Sequence, residues 1–291
     1  MASKEIFFAD AESSLEEAYF VISGVPFDGT CSFRKGSRLA PKGIREESYN
    51  HETYLFEHDT DLEEVPFHDL GDLKCENLED MMGGVGNTVE KILKDGKFPI
   101  TIGGEHSLTP PAVRKFDNVG VVILDAHLDF RNQYLDERNS HACATRRVVD
   151  LVGIENVITL GIRSMEKEEK EEAEYFKLNW IHANRLRELG IEKILKPIEW
   201  DRVYLSIDMD FFDPSFAPGV GNPEYFGFSP QVAKEAINIL APRIVGFDVC
   251  EACPPYDYGN TCSLAARLIR EVIGSVWKKT LEKHRNRYQK S

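Results

Sequence analysis

The 291-residue sequence predicts one α/β domain with helices on both faces of a mostly parallel sheet. Two observations carry this. Short apolar runs rich in Val and Ile recur without polar alternation and end in Gly, Asp or Pro, and segments with apolar residues three and four apart lie between them. Runs of the first kind suit parallel strands buried on both faces. They predict strands over 19–22, 98–102, 119–124, 157–160, 203–207 and 244–247. The helical spacing covers 78–93 and 232–240, where Pro230 behind Ser229 predicts a first-turn proline and a capping serine. Residues 165–176 read as a solvated helix braced by Glu166 with Lys170 and Lys167 with Glu171. The segment 262–288 carries an apolar stripe (Leu264, Leu268, Ile269, Ile273, Trp277, Leu281) that suits a core or a subunit interface. Its basic end (Lys278, Lys279, Lys283, Arg285, Arg287) complements a helix dipole. No repeat, low-complexity tract or linker interrupts the pattern, so residues 1–291 are expected to form a single domain.

The charge balance, 35 − 49 = −14, excludes nucleic acid and anionic membrane surfaces as partners, since both require a basic footprint. No apolar run reaches the roughly 18 residues of a membrane span. The first twenty residues hold five acids and one Lys, unlike the basic start of a signal peptide, and a cytoplasmic location is expected. Six cysteines at irregular positions read as reduced thiols. Cys250-x-x-Cys253 has no second such pair and no strand-to-helix opening after it, which argues against a zinc or redox site.

Chemistry concentrates at three predicted strand ends. The run 121–124 leads into Asp125-Ala-His127-Leu-Asp129, and alternate residues of a strand point to one side. The three side chains should converge beyond the strand's carboxyl end, where open α/β sheets place ligands. The run 203–207 repeats the device with Asp208 and Asp210, and 101–107 ends in two glycines that let the backbone turn and aim His106 at the same point. Acids that merely cap turns would leave this many ionisable groups buried at strand tips without a cation, which is costly. Four carboxylates and two imidazoles exceed one zinc's needs and suit two hard divalent ions sharing carboxylates, with Mn²⁺ the natural candidate. Two such ions lower the pKa of a shared water, so the implied chemistry is hydrolysis.

These residues resemble the ureohydrolases, the family of arginases and agmatinases. The likeness rests on Gly-Gly-Glu-His-Ser at 103–107, Asp-Ala-His-Leu-Asp at 125–129 and Ser-Ile-Asp-Met-Asp-Phe-Phe-Asp-Pro-Ser-Phe-Ala-Pro-Gly at 206–219. It extends through 24–28, 34–45 and 248–257, and the opening motif and 161–164 look more like agmatinases than arginases. The resemblance implies a three-layer α/β/α arginase-like fold with about eight strands, and a homo-oligomer, trimer or hexamer. It implies two Mn²⁺, one on His106, Asp125, Asp129 and Asp208, the other on His127, Asp125, Asp208 and Asp210, with Asp125 and Asp208 bridging. Glu251 matches the acid that holds the substrate's guanidinium. His141 matches the histidine proposed to move protons, although Ala142 and Cys143 stand where the family has Gly and Thr.

The implied reaction is hydrolysis of agmatine to putrescine and urea, a step of polyamine synthesis. With two ions, four aspartates, a hydroxide and Glu251, the pocket carries about −2, which suits a dicationic guanidine. Either Asp129 or His141 can deliver the proton to the leaving amine. The rival substrates are N1-aminopropylagmatine, greeted by acids such as Asp136, Glu137 or Glu224, and arginine or a guanidino acid. Arg131 and Arg138, in the loop after the metal motif, bear on that choice. A non-catalytic metal-binding homologue is the alternative of a different class, and the presence of all six ligands and Glu251 disfavours it.

Overall fold

Apolar runs with no polar alternation must be covered on both sides, and the chain covers them with two helical layers. The computed structural model describes residues 6–288. The strands are β1 (Phe20–Val25), a short antiparallel pair β2 (Tyr54–Leu55) and β3 (Thr60–Asp61), then β4 (Phe67–Asp72), β5 (Phe98–Gly103), β6 (Gly120–Leu124), β7 (Val157–Ile162), β8 (Asn179–His182), β9 (Val203–Asp208) and β10 (Ile244–Cys250). Eight of them form one sheet in the order β4-β1-β5-β10-β9-β6-β7-β8, with every neighbouring pair parallel.

Neighbouring residues of β6 show the layering. Val122 and Leu124 join a core built with the helices Ala40–Ser48, Pro230–Leu240 and Asn260–Tyr288, while Val121 and Ile123 join one built with Leu78–Lys94, Ala144–Val152 and Lys167–Phe176. The C-terminal stripe is a core stripe: Leu268, Ile269 and Ile273 are buried, Leu264 and Trp277 pack against them, and only Leu281 is exposed. The side chain of Arg287 lies outside the described residues. Among those residues, no helix is long and apolar enough to cross a membrane.

The six predicted strands are all present in the eight-stranded sheet, and β4 and β8 are its additions; the sequence does not predict the short pair β2 and β3 either. β4 and β8 are edge strands without a continuous apolar run. β4 alternates between buried and exposed positions, and no residue of β8 is buried. Two local expectations need correction. Ser229 occupies the N-cap position before Pro230, yet its side chain makes no capping bond. Glu166 does not pair with Lys170: it caps the helix Lys167–Phe176 and pairs with Arg131 at 3.1 Å, leaving Lys170 to Glu174 at 3.0 Å.

The order brings β5, β10, β9 and β6 side by side in the middle of the sheet, so their carboxyl ends open onto one spot. His106 follows β5, Glu251 follows β10, Asp208 ends β9, and Asp125 follows β6. The exit of β5 is held tightly. A Cβ on Gly104 would sit 2.0 Å from the Phe27 carbonyl oxygen, so only glycine permits this approach. The N–H groups of Gly104 and Glu105 donate to the carbonyls of Val25 and Phe27, which fixes the turn that carries His106.

Candidate metal centre and active site

The predicted ligands converge, although not by strand pleating alone. β6 ends at Leu124, residues 125–127 stay tied to the chain beside them through a parallel bridge between His127 and Ser164, and Asp129 has a left-handed backbone, φ 49°. Asp210 lies on a 3-10 turn, Met209–Phe211, rather than on β9. Two groups result. In the first, His106 Nδ1 faces Asp125 Oδ2 at 3.1 Å, Asp208 Oδ2 at 3.3 Å and Asp129 Oδ2 at 3.4 Å. In the second, His127 Nδ1 lies 2.8 Å from Asp210 Oδ2 and 3.8 Å from Asp125 Oδ1. Asp125 spans both groups. Asp208 turns Oδ2 to the first group, and its Oδ1 accepts the N–H of Asp210, a member of the second, at 2.8 Å.

The first group has the chemistry of a cation site. His106 Nε2 lies 3.1 Å from the Ser206 hydroxyl, which itself donates to Asp248 Oδ1 at 2.6 Å and so accepts from the ring. Nδ1 then turns toward three carboxylate oxygens. His106 Nδ1 and Asp125 Oδ2 are both buried without a hydrogen-bond partner. Only a proton or a metal ion resolves that contact. Asp248 is fully buried and also accepts from Tyr204 OH at 2.7 Å and Thr109 Oγ1 at 2.9 Å, so the chain Asp248–Ser206–His106 holds the ring in place. The second group is braced by Arg163, whose Nη2 donates to the Asp210 and Glu224 carbonyls.

Ionisation responds to this crowding. Burial, then the charges of Asp210 and Asp129, pushes the Asp125 carboxyl up to about 7. Burial, Asp210 and Asp125 push Asp208 well above the carboxylate range. Burial would also raise Asp210, but His127 beside it brings its pKa below the usual value. Burial would lower both imidazoles; instead Cys250 and three carboxylates hold His106 well above its ordinary value, and Asp210 does the same for His127. In place of these protons, two divalent ions would satisfy the same oxygens.

Glu251 and His141 stand on the wall of a cavity of about 210 Å³ above these groups, together with His127, Asp129, Asp208 and Asp210. Glu251 is left-handed, φ 64°, and its Oε1 accepts the His106 N–H at 2.7 Å. Backbone strain of this kind persists where surroundings over-determine it. Thr30 Oγ1 donates to Glu105 Oε1 at 2.6 Å and accepts the His141 N–H at 3.0 Å; His141 Nδ1 lies 3.1 Å away. With its own proton committed to Glu105, Thr30 can take Nδ1 only as a donor, which leaves the His141 Nε2 lone pair unclaimed by this network. The motifs signalled His141 but not this support, which joins residues 75 and 111 positions from Thr30.

Of the acids expected near an extra amine, none lines this cavity. Glu224 turns its Oε1 to His127 Nε2 at 3.7 Å, Glu137 lines a separate groove, and Asp136 is exposed. Glu166 and Glu169 line it instead, beside Arg131 and Arg34. Arg131 is matched by Glu166 and Glu169, at 3.1 and 3.6 Å, and Arg138 is not on the cavity wall.

An all-parallel eight-stranded sheet with two imidazole–carboxylate groups at its carboxyl edge defines a hydrolase of the ureohydrolase class, and the comparisons agree. The arginase family profile matches residues 18–274. The chain is 37% identical over 276 residues to the agmatinase of Bacillus anthracis, covering 91% of this chain and 94% of that one. It is 38% identical over 271 residues to the N(1)-aminopropylagmatine ureohydrolase of Thermococcus kodakarensis, covering 90% and 92%. Among solved structures, the agmatine ureohydrolase of Thermoplasma volcanium matches with a TM-score of 0.93 and 41% identity, over 96% of this chain and 97% of its own. The chain belongs to the arginase family.

The crowded acids predict a pH signature. A carboxyl raised from 3.8 to about 7 stabilises the fold below its unfolded value, and that contribution is lost as pH rises through about 7; the raised imidazoles act in the same direction. Ions that replace the protons should therefore stabilise more at higher pH. Calorimetry on chelator-stripped protein should show a larger Mn²⁺-induced rise in Tm at pH 8 than at pH 5; equal rises would contradict this assignment of the buried protons.

Proposed function

We propose that this ureohydrolase converts agmatine and water to putrescine and urea, a step of polyamine synthesis, with two divalent ions, Mn²⁺ foremost. The observation that carries the reading is the pair of imidazole–carboxylate groups sharing Asp125 beneath an acidic cavity walled by Glu251. His106, Asp125, Asp129 and Asp208 would hold one ion, and His127, Asp125, Asp208 and Asp210 the other. Such a pair of ions, when bound, supplies hydroxide near neutral pH.

The chain's own residues do the rest. Glu251 keeps Oε1 on the His106 N–H, so Oε2 is the oxygen available to a guanidinium N–H. That contact orients the guanidinium carbon over the two groups. Hydrolysis breaks the bond between that carbon and the alkyl nitrogen, and the departing amine needs a proton. Asp129 and His141 both line the cavity. His141, anchored through Nδ1 by Thr30, presents Nε2 to take up a proton and pass it on. The free thiols of all six cysteines support a cytoplasmic place. The family resemblance supports a trimer or hexamer.

The net negative charge of a pocket with two ions, four aspartates, a hydroxide and Glu251 favours agmatine over arginine, and on the wall Arg131 is already matched by Glu166 and Glu169, with Arg34 beside them. N1-aminopropylagmatine is the second reading, favoured by the same two acids and by the Thermococcus kodakarensis relative. With Mn²⁺-loaded protein, kcat/KM for urea release from agmatine should exceed that from arginine by about a hundredfold, and should exceed those from aminopropylagmatine and guanidino acids; a higher value for aminopropylagmatine would transfer the assignment to it. Thr30→Val should lower kcat by about tenfold or more, with KM little changed. An unchanged kcat would shift the proton delivery to Asp129.

A further inference from the structure

β10 places Asp248 and Cys250 on one side, two residues apart. Asp248 holds the His106 ring through Ser206, and Cys250 brings a thiol beside the same ring. Cys250 is 1% exposed, and its Sγ lies 3.9 Å from Asp208 Oδ2 and 3.9 Å from the Ile207 carbonyl. One ligand atom each from His106, Asp208 and Cys250 lie within 4.8 Å of one another. A buried free cysteine ordinarily serves as a small apolar filler. Here the sulfur stands against the Asp208 carboxylate oxygen, in one group with His106, whose buried Nδ1 has no hydrogen-bond partner.

The two edges that meet at Asp208 Oδ2 are compatible with one ion. With a metal–sulfur bond of about 2.3 Å and a metal–oxygen bond of about 2.1 Å, a 3.9 Å edge subtends about 125°. The 3.3 Å edge between His106 Nδ1 and Asp208 Oδ2 subtends about 104° with two bonds of about 2.1 Å. Both angles suit four- or five-coordinate divalent ions.

We propose that the ion held by His106 and Asp208 takes Cys250 Sγ as a further ligand, so that this half of the centre accepts softer ions than its carboxylates alone would select. The inference rests on the two-ion reading above. Coordination by the thiol forms a metal–sulfur bond, and the thiol proton passes to buffer. Sulfur ligands shift preference toward Zn²⁺, Co²⁺ and Cd²⁺, whereas His127 and Asp210 have no thiol in their group.

The test uses the full-length chain loaded with Co²⁺, with bound metal counted by elemental analysis. Wild type should hold two Co²⁺ per chain and show a thiolate-to-cobalt charge-transfer band in the near ultraviolet. X-ray absorption should give a sulfur shell at about 2.3 Å. Cys250→Ser and Cys250→Ala should keep two Co²⁺ and lose the band, and their affinity for Cd²⁺ relative to Mn²⁺ should fall about tenfold. Two bound Co²⁺ without a band or sulfur shell in wild type would overturn the cysteine's role and leave the two-ion reading standing. A band that persists in a folded Cys250 variant would also overturn it. Failure to bind Co²⁺ at all would overturn both. The wild-type spectrum decides the matter even where a variant does not fold.

Discussion

The structure turns on one electrostatic problem: four aspartates and two histidines packed at the carboxyl ends of strands, mostly out of water. Uncompensated, such a group would be among the most destabilising features a fold of this size could carry. The chain tolerates it because every element around it is committed to holding it. Gly104 lets the exit of β5 pass against the Phe27 carbonyl, Asp248 and Ser206 fix the His106 ring, and Arg163 ties the turn after β9 to the 224–225 loop. Backbone strain collects there as well, at Asp129 and Glu251. A site that stores this much repulsion is poised to bind cations.

Much of this was legible in the sequence, for physical reasons. Strands buried on both faces must be apolar throughout, so β5, β6, β7, β9 and β10 announce themselves. Metal-type ligands immediately beyond such strands are hard to explain otherwise. The edge strands β4 and β8 were hidden because one side of each meets solvent, and alternation or brevity there looks like loop. The ligand segments are also less regular than alternation implies. Asp129 reaches its place by a left-handed residue and Asp210 by a 3-10 turn, both set by tertiary packing.

What stayed invisible was support from afar. Thr30 meets His141 across 111 residues, and Asp248 meets Thr109 across 139. No local pattern encodes such pairs. Glu166 shows a different failure: spacing assigned it to a surface pair with Lys170, whereas its position after β7 puts it on the cavity wall with Arg131. The same blindness covered Cys250, whose CxxC spacing pointed to nothing while its place beside Asp208 sets it among the ligand atoms.

The central claim is that two ions share Asp125 between His106 and His127. Anomalous diffraction from crystals grown with Mn²⁺ tests it directly. The account predicts two peaks about 3.5 to 4 Å apart, one at His106 Nδ1 and one at His127 Nδ1, with one Asp125 oxygen on each. A single peak, or a second peak away from His127, would contradict it.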